Sequence, residues 1–153
     1  MSRSSSADGA PRARRDPIVT SSDALAVVEL ARCRRPREEI IAFLLDDAMR
    51  GTGTILSVHH VHTPADVLAV AELMGEAGAS AAAIDVAGAS SLVVASVRLQ
   101  DRASSLLDDV DLWQQMSDLT EQYGIILLEW FVLGPMGVSC PRDILGEPDR
   151  WPR

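Results

Sequence analysis

The chain has 153 residues, 47% of them apolar, with a formal charge of −8 and no lysine. That much apolar material suits one packed domain with tails and excludes a chain disordered throughout. No apolar run reaches the roughly 18 residues of a membrane span, and an acidic body argues against nucleic-acid binding, which usually needs basic surface.

Residues 1 to 19 are rich in Ser, Arg, Gly and Pro and lack apolar periodicity, which predicts a disordered tail. Arg3, Arg12, Arg14 and Arg15 in this tail, and the later cluster Arg32, Arg34, Arg35 and Arg37, offer contacts to phosphate or an acidic partner. The plainer reading is a solvated tail and a basic helix end that complements the helix dipole. The N-terminus has no apolar signal-peptide core, so a cytoplasmic protein is expected. Cys33 and Cys140 lie far apart without CxxC spacing and are expected to stay reduced and unpaired.

Ser22, with Asp23 in the first turn, predicts a helix start, and Pro36 predicts its end. Glu39 to Leu45 is a nearly continuous apolar run that suits a strand buried on both faces. Asp46 to Gly53 carries turn signals, and Thr54 to Val61 reads as a hairpin partner. Thr63-Pro64-Ala65-Asp66 is a strong helix start. Gly75 and Gly78 are expected to weaken or end that helix, and residues 79 to 90 are left open. Ser91 to Leu99 reads as a third strand. Leu106 to Tyr123 is an amphipathic helix, with Val110, Trp113, Met116, Leu119 and Tyr123 on one face and Gly124 as its C-terminal stop. Ile125 to Leu133 is the last strand, and a polar tail runs over 147–153. The expected fold is a single-domain α/β sandwich with a mixed sheet, spanning 20–146.

The last strand, Ile125-Ile-Leu-Leu-Glu-Trp-Phe-Val-Leu-Gly134, says most. It resembles the closing strand of the JAB/MPN (JAMM) metalloproteases, a cytidine-deaminase-like fold, and in particular the bacterial RadC-type branch. There the strand reads roughly Gly-Ile-x-Leu-Leu-Asp-His followed by apolar residues and Gly. The resemblance covers about residues 36 to 146 and implies a zinc motif of the form Glu…His-x-His-Pro…Ser-x-x-Asp. Counting back at the spacing of RadC-type sequences puts the aspartate at Asp109 and the two histidines at Ser96 and Arg98. The proline falls on Leu99, and the motif serine on Leu106, one residue from Ser105. A one-residue shift makes Asp108 the aspartate. The general base falls on Glu39, with Glu38 as the alternative.

A catalytic zinc takes three protein ligands and keeps one position open. Here the resemblance implies that two of those ligands are replaced. A neutral Ser96 hydroxyl is a poor ligand, and Arg98 is always protonated and has no lone pair to give. At ~4 Å and an effective dielectric near 20, its charge repels a cation by about 4 kcal/mol per pair of unit charges. Arg98 either fills the vacated place and pairs with Asp109 or Glu39, or points to solvent. No cofactor is expected. The resemblance thus implies an inactive, metal-free domain that acts through a protein partner or self-association, with a homodimer through the Trp113 face as one form.

Two other readings stay open. His60 and His62, two apart and followed by Thr63-Pro64, suggest a rebuilt metal site with Asp66, and with it a metal-dependent (iso)peptidase or hydrolase. The plainer reading of these histidines is a polar strand end. The other is a nucleic-acid-associated protein that uses the tail arginines. Cys140 is read as a small packed residue and Trp113 and Tyr123 as core or interface aromatics; Glu129 and Trp130 are read as structural residues, with a place near the degenerate site as the other reading.

Overall fold

A computed structural model describes residues 11–12, 15–61, 63–83, 88–100 and 105–152. Its elements are α1 (Ser21–Ala31), β1 (Glu39–Asp46), β2 (Gly51–Val58), α2 (Asp66–Ala83), β3 (Ala89–Val97), α3 (Ser105–Gln122), β4 (Ile126–Gly134), β5 (Gly137–Ser139) and α4 (Pro141–Leu145). The strands form one mixed sheet in the order β2-β1-β3-β4-β5. β1 runs antiparallel to both β2 and β3, β3 and β4 are parallel, and β5 returns antiparallel beside β4. The parallel pair needs a crossover, and α3 supplies it.

Both faces of the central strands are buried, which is why β1, β3 and β4 read as continuous apolar runs. One face packs Ile40, Ala42, Leu44, Leu92, Val94, Trp130 and Val132 beneath α2 and α3, against Val67, Met74, Trp113 and Met116. The other packs Ile41, Phe43, Leu45, Val93, Ala95 and Phe131 beneath α1, against Ala24 and Val28.

A bulge in β4 fixes which residues face which layer. Leu92 pairs with Leu127 but Val93 pairs with Glu129, so Leu128 is the extra residue. Strict alternation would put Leu127 and Glu129 on one face. Instead Leu127 and Trp130 share the α2–α3 face, and Glu129, opposite Val93, takes the α1 face.

Several local expectations change. The cap of α1 is Thr20, whose Oγ1 accepts from the Asp23 amide at 3.1 Å, two residues before the expected Ser22. The helix ends at Ala31, well ahead of Pro36. The β1–β2 turn is shorter than Asp46 to Gly53. The Asp46 carboxylate accepts from the amides of Ala48 and Arg50, Met49 takes a left-handed φ of 62°, and β2 starts at Gly51. β2 therefore ends at Val58 instead of Val61. Gly75 and Gly78 do not end α2, which continues to Ala83. They are glycines because α2 lies close to its neighbours: a Cβ on Gly75 would stand 2.5 Å from Tyr123 Cδ2, and one on Gly78 would meet Ile125 Cδ1.

The end of α3 follows its sequence signal. Gly124 has φ +73°, the Ile125 amide donates to the Thr120 carbonyl at 3.1 Å, and the Gly124 amide donates to that of Glu121 at 2.9 Å.

Two residues inside the stretches read as tails, Ile18 and Trp151, are buried. They pack in the α1 layer because that sheet face would otherwise lie bare. The Ile18 amide donates to the Met49 carbonyl at 2.7 Å, and the Trp151 indole donates to Ser21 Oγ at 2.9 Å. Arg3, Arg14 and His62 lie outside the described residues. Among the described residues, no helix is long and apolar enough to cross a membrane.

Candidate functional site

The site sits where β3 ends and α3 begins. Ser96 is on the α2–α3 face of β3, opposite Ile40. Arg98 follows the strand, its backbone tied by a 2.8 Å bond from its amide to the Leu133 carbonyl. Two residues beyond Ser96, it turns its side chain to the same face. Asp109, in the early turns of α3, is buried on the layer above.

Arg98 and Asp109 meet in a bidentate pair. Nη1 donates to Oδ2 and Nη2 to Oδ1, each at 2.7 Å. The side chains are only 12% and 6% exposed, so the pair is largely removed from solvent. Two parallel charge-assisted bonds are the strongest geometry an arginine and a carboxylate can adopt. The guanidinium also lies over the Trp130 ring, 5.9 Å from its centre. Trp130 in turn donates its indole N–H to Ser96 Oγ at 2.9 Å. Ser96, Trp130, Arg98 and Asp109 thus form one connected chain of contacts.

Glu39 stands apart from this chain. It pairs with Val97 across β1 and β3, one position off Ser96, so its side chain faces the α1 layer. There its carboxylate accepts from the Cys33 amide and from Arg37 Nε, both at 2.9 Å. Arg98 is therefore not held between two carboxylates. Glu38 and Glu39 both border a cavity of about 20 Å³ with Val61, Thr63, Pro64, Ser96 and Arg98, room for about one water. Asp108, the alternative aspartate, is exposed on α3.

The residues at these positions do not fit a zinc ion. The Ser96 oxygen is engaged by an indole N–H, and Asp109 by a guanidinium whose charge repels a divalent cation.

Of the histidine alternative, His60 and Asp66 are among the described residues and His62 is not. His59 and His60 lie past the end of β2 with ring centres 4.3 Å apart. Asp66 serves the start of α2, where its carboxylate accepts from the Thr63 amide at 2.9 Å and the Thr63 hydroxyl at 3.4 Å. Among the described residues, no three His, Cys, Asp or Glu side chains group closely enough to share an ion.

Beyond Arg98, the arginine partners of the buried groups were not foreseen from the sequence. Glu129 is fully buried and paired with Arg142, whose Nε donates to its two oxygens at 3.0 and 3.3 Å. Burial pushes the Glu129 carboxyl upward against the pull of Arg142. The Cys140 thiol, half-buried beside Glu129, is pushed up to about 12 by burial and by that carboxylate. It is a packed thiol in which the nucleophilic thiolate is disfavoured. Trp113 is no interface residue. It is fully buried, with Arg150 stacked 4.7 Å over its ring and its indole donating to Glu147 at 3.4 Å. Of these partners, only Arg37, two residues before Glu39, left a local signal; the others come from distant segments.

No protein-family model matches the chain. No curated protein is significantly similar to it.

Proposed function

We propose that this chain is a RadC-like domain of the JAB/MPN type that has lost metal-dependent hydrolysis and serves as a protein-interaction or scaffold module. The observation that carries the reading is the Arg98–Asp109 pair. The motif spacing assigns Arg98 to a histidine ligand and Asp109 to the acidic ligand, and the two are joined by paired 2.7 Å bonds. A fixed guanidinium then stands in for the metal's charge. The order of helices and strands and the mixed sheet are consistent with that family. With the hydrolytic centre closed by an ion pair, the remaining role is binding through the surface.

Zinc calorimetry tests this. The natural chain is expected to give no heat of one-to-one binding. Ser96→His combined with Arg98→His is expected to gain weak zinc affinity, because Asp109 is released to serve as third ligand. One tightly held zinc per natural chain would overturn the reading.

A further inference from the structure

We propose that the open edge of β2 adds a second copy of this chain, strand to strand, about a twofold axis at Leu56. The proposal is independent of the zinc-site reading and rests on how the two ends of the sheet differ.

At one end the sheet closes with β5, a strand of three residues, too short to template another strand. At the other end lies β2, eight residues long and, among the described residues, bonded only to β1. Its outer N–H and C=O groups face away from the sheet. Natural edges are usually blunted by charge, proline or a bulge. The sequence Gly51-Thr-Gly-Thr-Ile-Leu-Ser-Val58 has no charge and no proline. It does have an irregularity: the register slips between Phe43 and Leu45, and Gly53 takes φ +91°. The first half is thereby bent, with the Thr54 amide donating to Thr52 Oγ1, which leaves Ile55 to Val58 as the regular free edge.

The side chains on that stretch suit a copy of themselves. Ile55 pairs with Phe43, so it faces the α1 side of the sheet. Phe43 is covered, but Ile55 is 53% exposed. Antiparallel pairing about Leu56 sets Leu56 opposite Leu56 of the second copy, Ile55 opposite its Ser57, and Thr54 opposite its Val58. Each opposed pair then lies on one face, so the two sheets join as one. The two Ile55 side chains become diagonal neighbours and shield each other. A chain of charge −8 repels its copies, yet none of its acidic residues lies on this strand. The axis therefore sets no like charges against each other within the strand. The contact is short, below the area of a standard stable interface, so the dimer is concentration-dependent.

Sedimentation of the full chain from low micromolar to submillimolar concentration tests this. A monomer–dimer equilibrium is expected, with exchange at the outward-facing amides of Ile55 to Val58 slowing as concentration rises. Ile55→Lys with Ser57→Lys sets like charges opposite each other across the axis and is expected to abolish the dimer, with an unchanged melting curve. Mixing it with Ile55→Glu/Ser57→Glu is expected to restore a heterodimer. A monomer at every concentration, or a dimer whose outward-facing Ile55 to Val58 amides exchange at a concentration-independent rate, would overturn the proposal.

Discussion

Arg98 holds Asp109 through two parallel 2.7 Å bonds, across the gap between the end of a central strand and the helix that follows it. The two residues are eleven positions apart, and no element contains both. The pair couples the sheet to the helical layer at the place where the resemblance implies a metal.

The pair is expected to be strongly coupled. Arg98→Ala leaves Asp109 as an uncompensated buried charge and should cost about 3–5 kcal/mol in urea unfolding. Arg98→Met together with Asp109→Leu should cost less than the sum of the single changes, because neither charge is then left alone. Additive losses would show that the two side chains act separately.

Cys140 is expected to resist alkylation in the folded chain. Its thiol is raised from an ordinary 9.0 to about 12. Its thiolate fraction at a given pH is therefore lowered by about a thousandfold. Iodoacetamide at neutral to mildly alkaline pH should label it far more slowly in buffer than in urea, read by mass spectrometry of the peptide. Because the folded value is the higher one, folding favours the neutral thiol. That contribution is whole below pH 9.0 and is lost as the pH climbs toward about 12. Equal labelling rates in buffer and urea would contradict the burial of this group.

Gly75→Ala separates helix propensity from packing. In an isolated helix the change should stabilise by up to about 1 kcal/mol. Here the new methyl meets the Tyr123 ring, so the expected result is a loss of about 1–3 kcal/mol. Adding Tyr123→Ala should recover part of it. A stabilised single variant would mean that α2 and the end of α3 move apart readily.

Trp151 should behave as a core residue despite lying near the C-terminal end of the sequence. It is 7% exposed and bonded to Ser21. Trp151→Ala is expected to cost about 3–5 kcal/mol in thermal or urea unfolding. A loss below the scatter of surface substitutions would return 147–153 to the status of a tail.

Much of the architecture was legible in one dimension. Apolar runs with turn signals between them located β1, β3 and β4, because strands buried on both faces must be apolar throughout. The Thr63–Asp66 start of α2 and the Gly124 stop of α3 were readable because caps are local bonding problems solved by residues a few positions apart. The grouping of Ser96, Arg98 and Asp109 was implied by the resemblance; strand alternation by itself says only that Ser96 and Arg98 share a face.

Tertiary packing decided the rest. Gly75 and Gly78 look like breakers in sequence and are contact residues in the fold, because a glycine can serve either a turn or a close approach. Glu39 and Ser96 fall on opposite faces because of the β1–β3 register, and Glu129 turns from the Leu127 face because of one extra residue in β4. Ile18 and Trp151, from opposite ends of the sequence, cover the same sheet face. Sequence fixes local bonding and periodicity. Which face a side chain serves, and which distant arginine neutralises a buried carboxylate, depends on register and on segments that meet only in the folded chain.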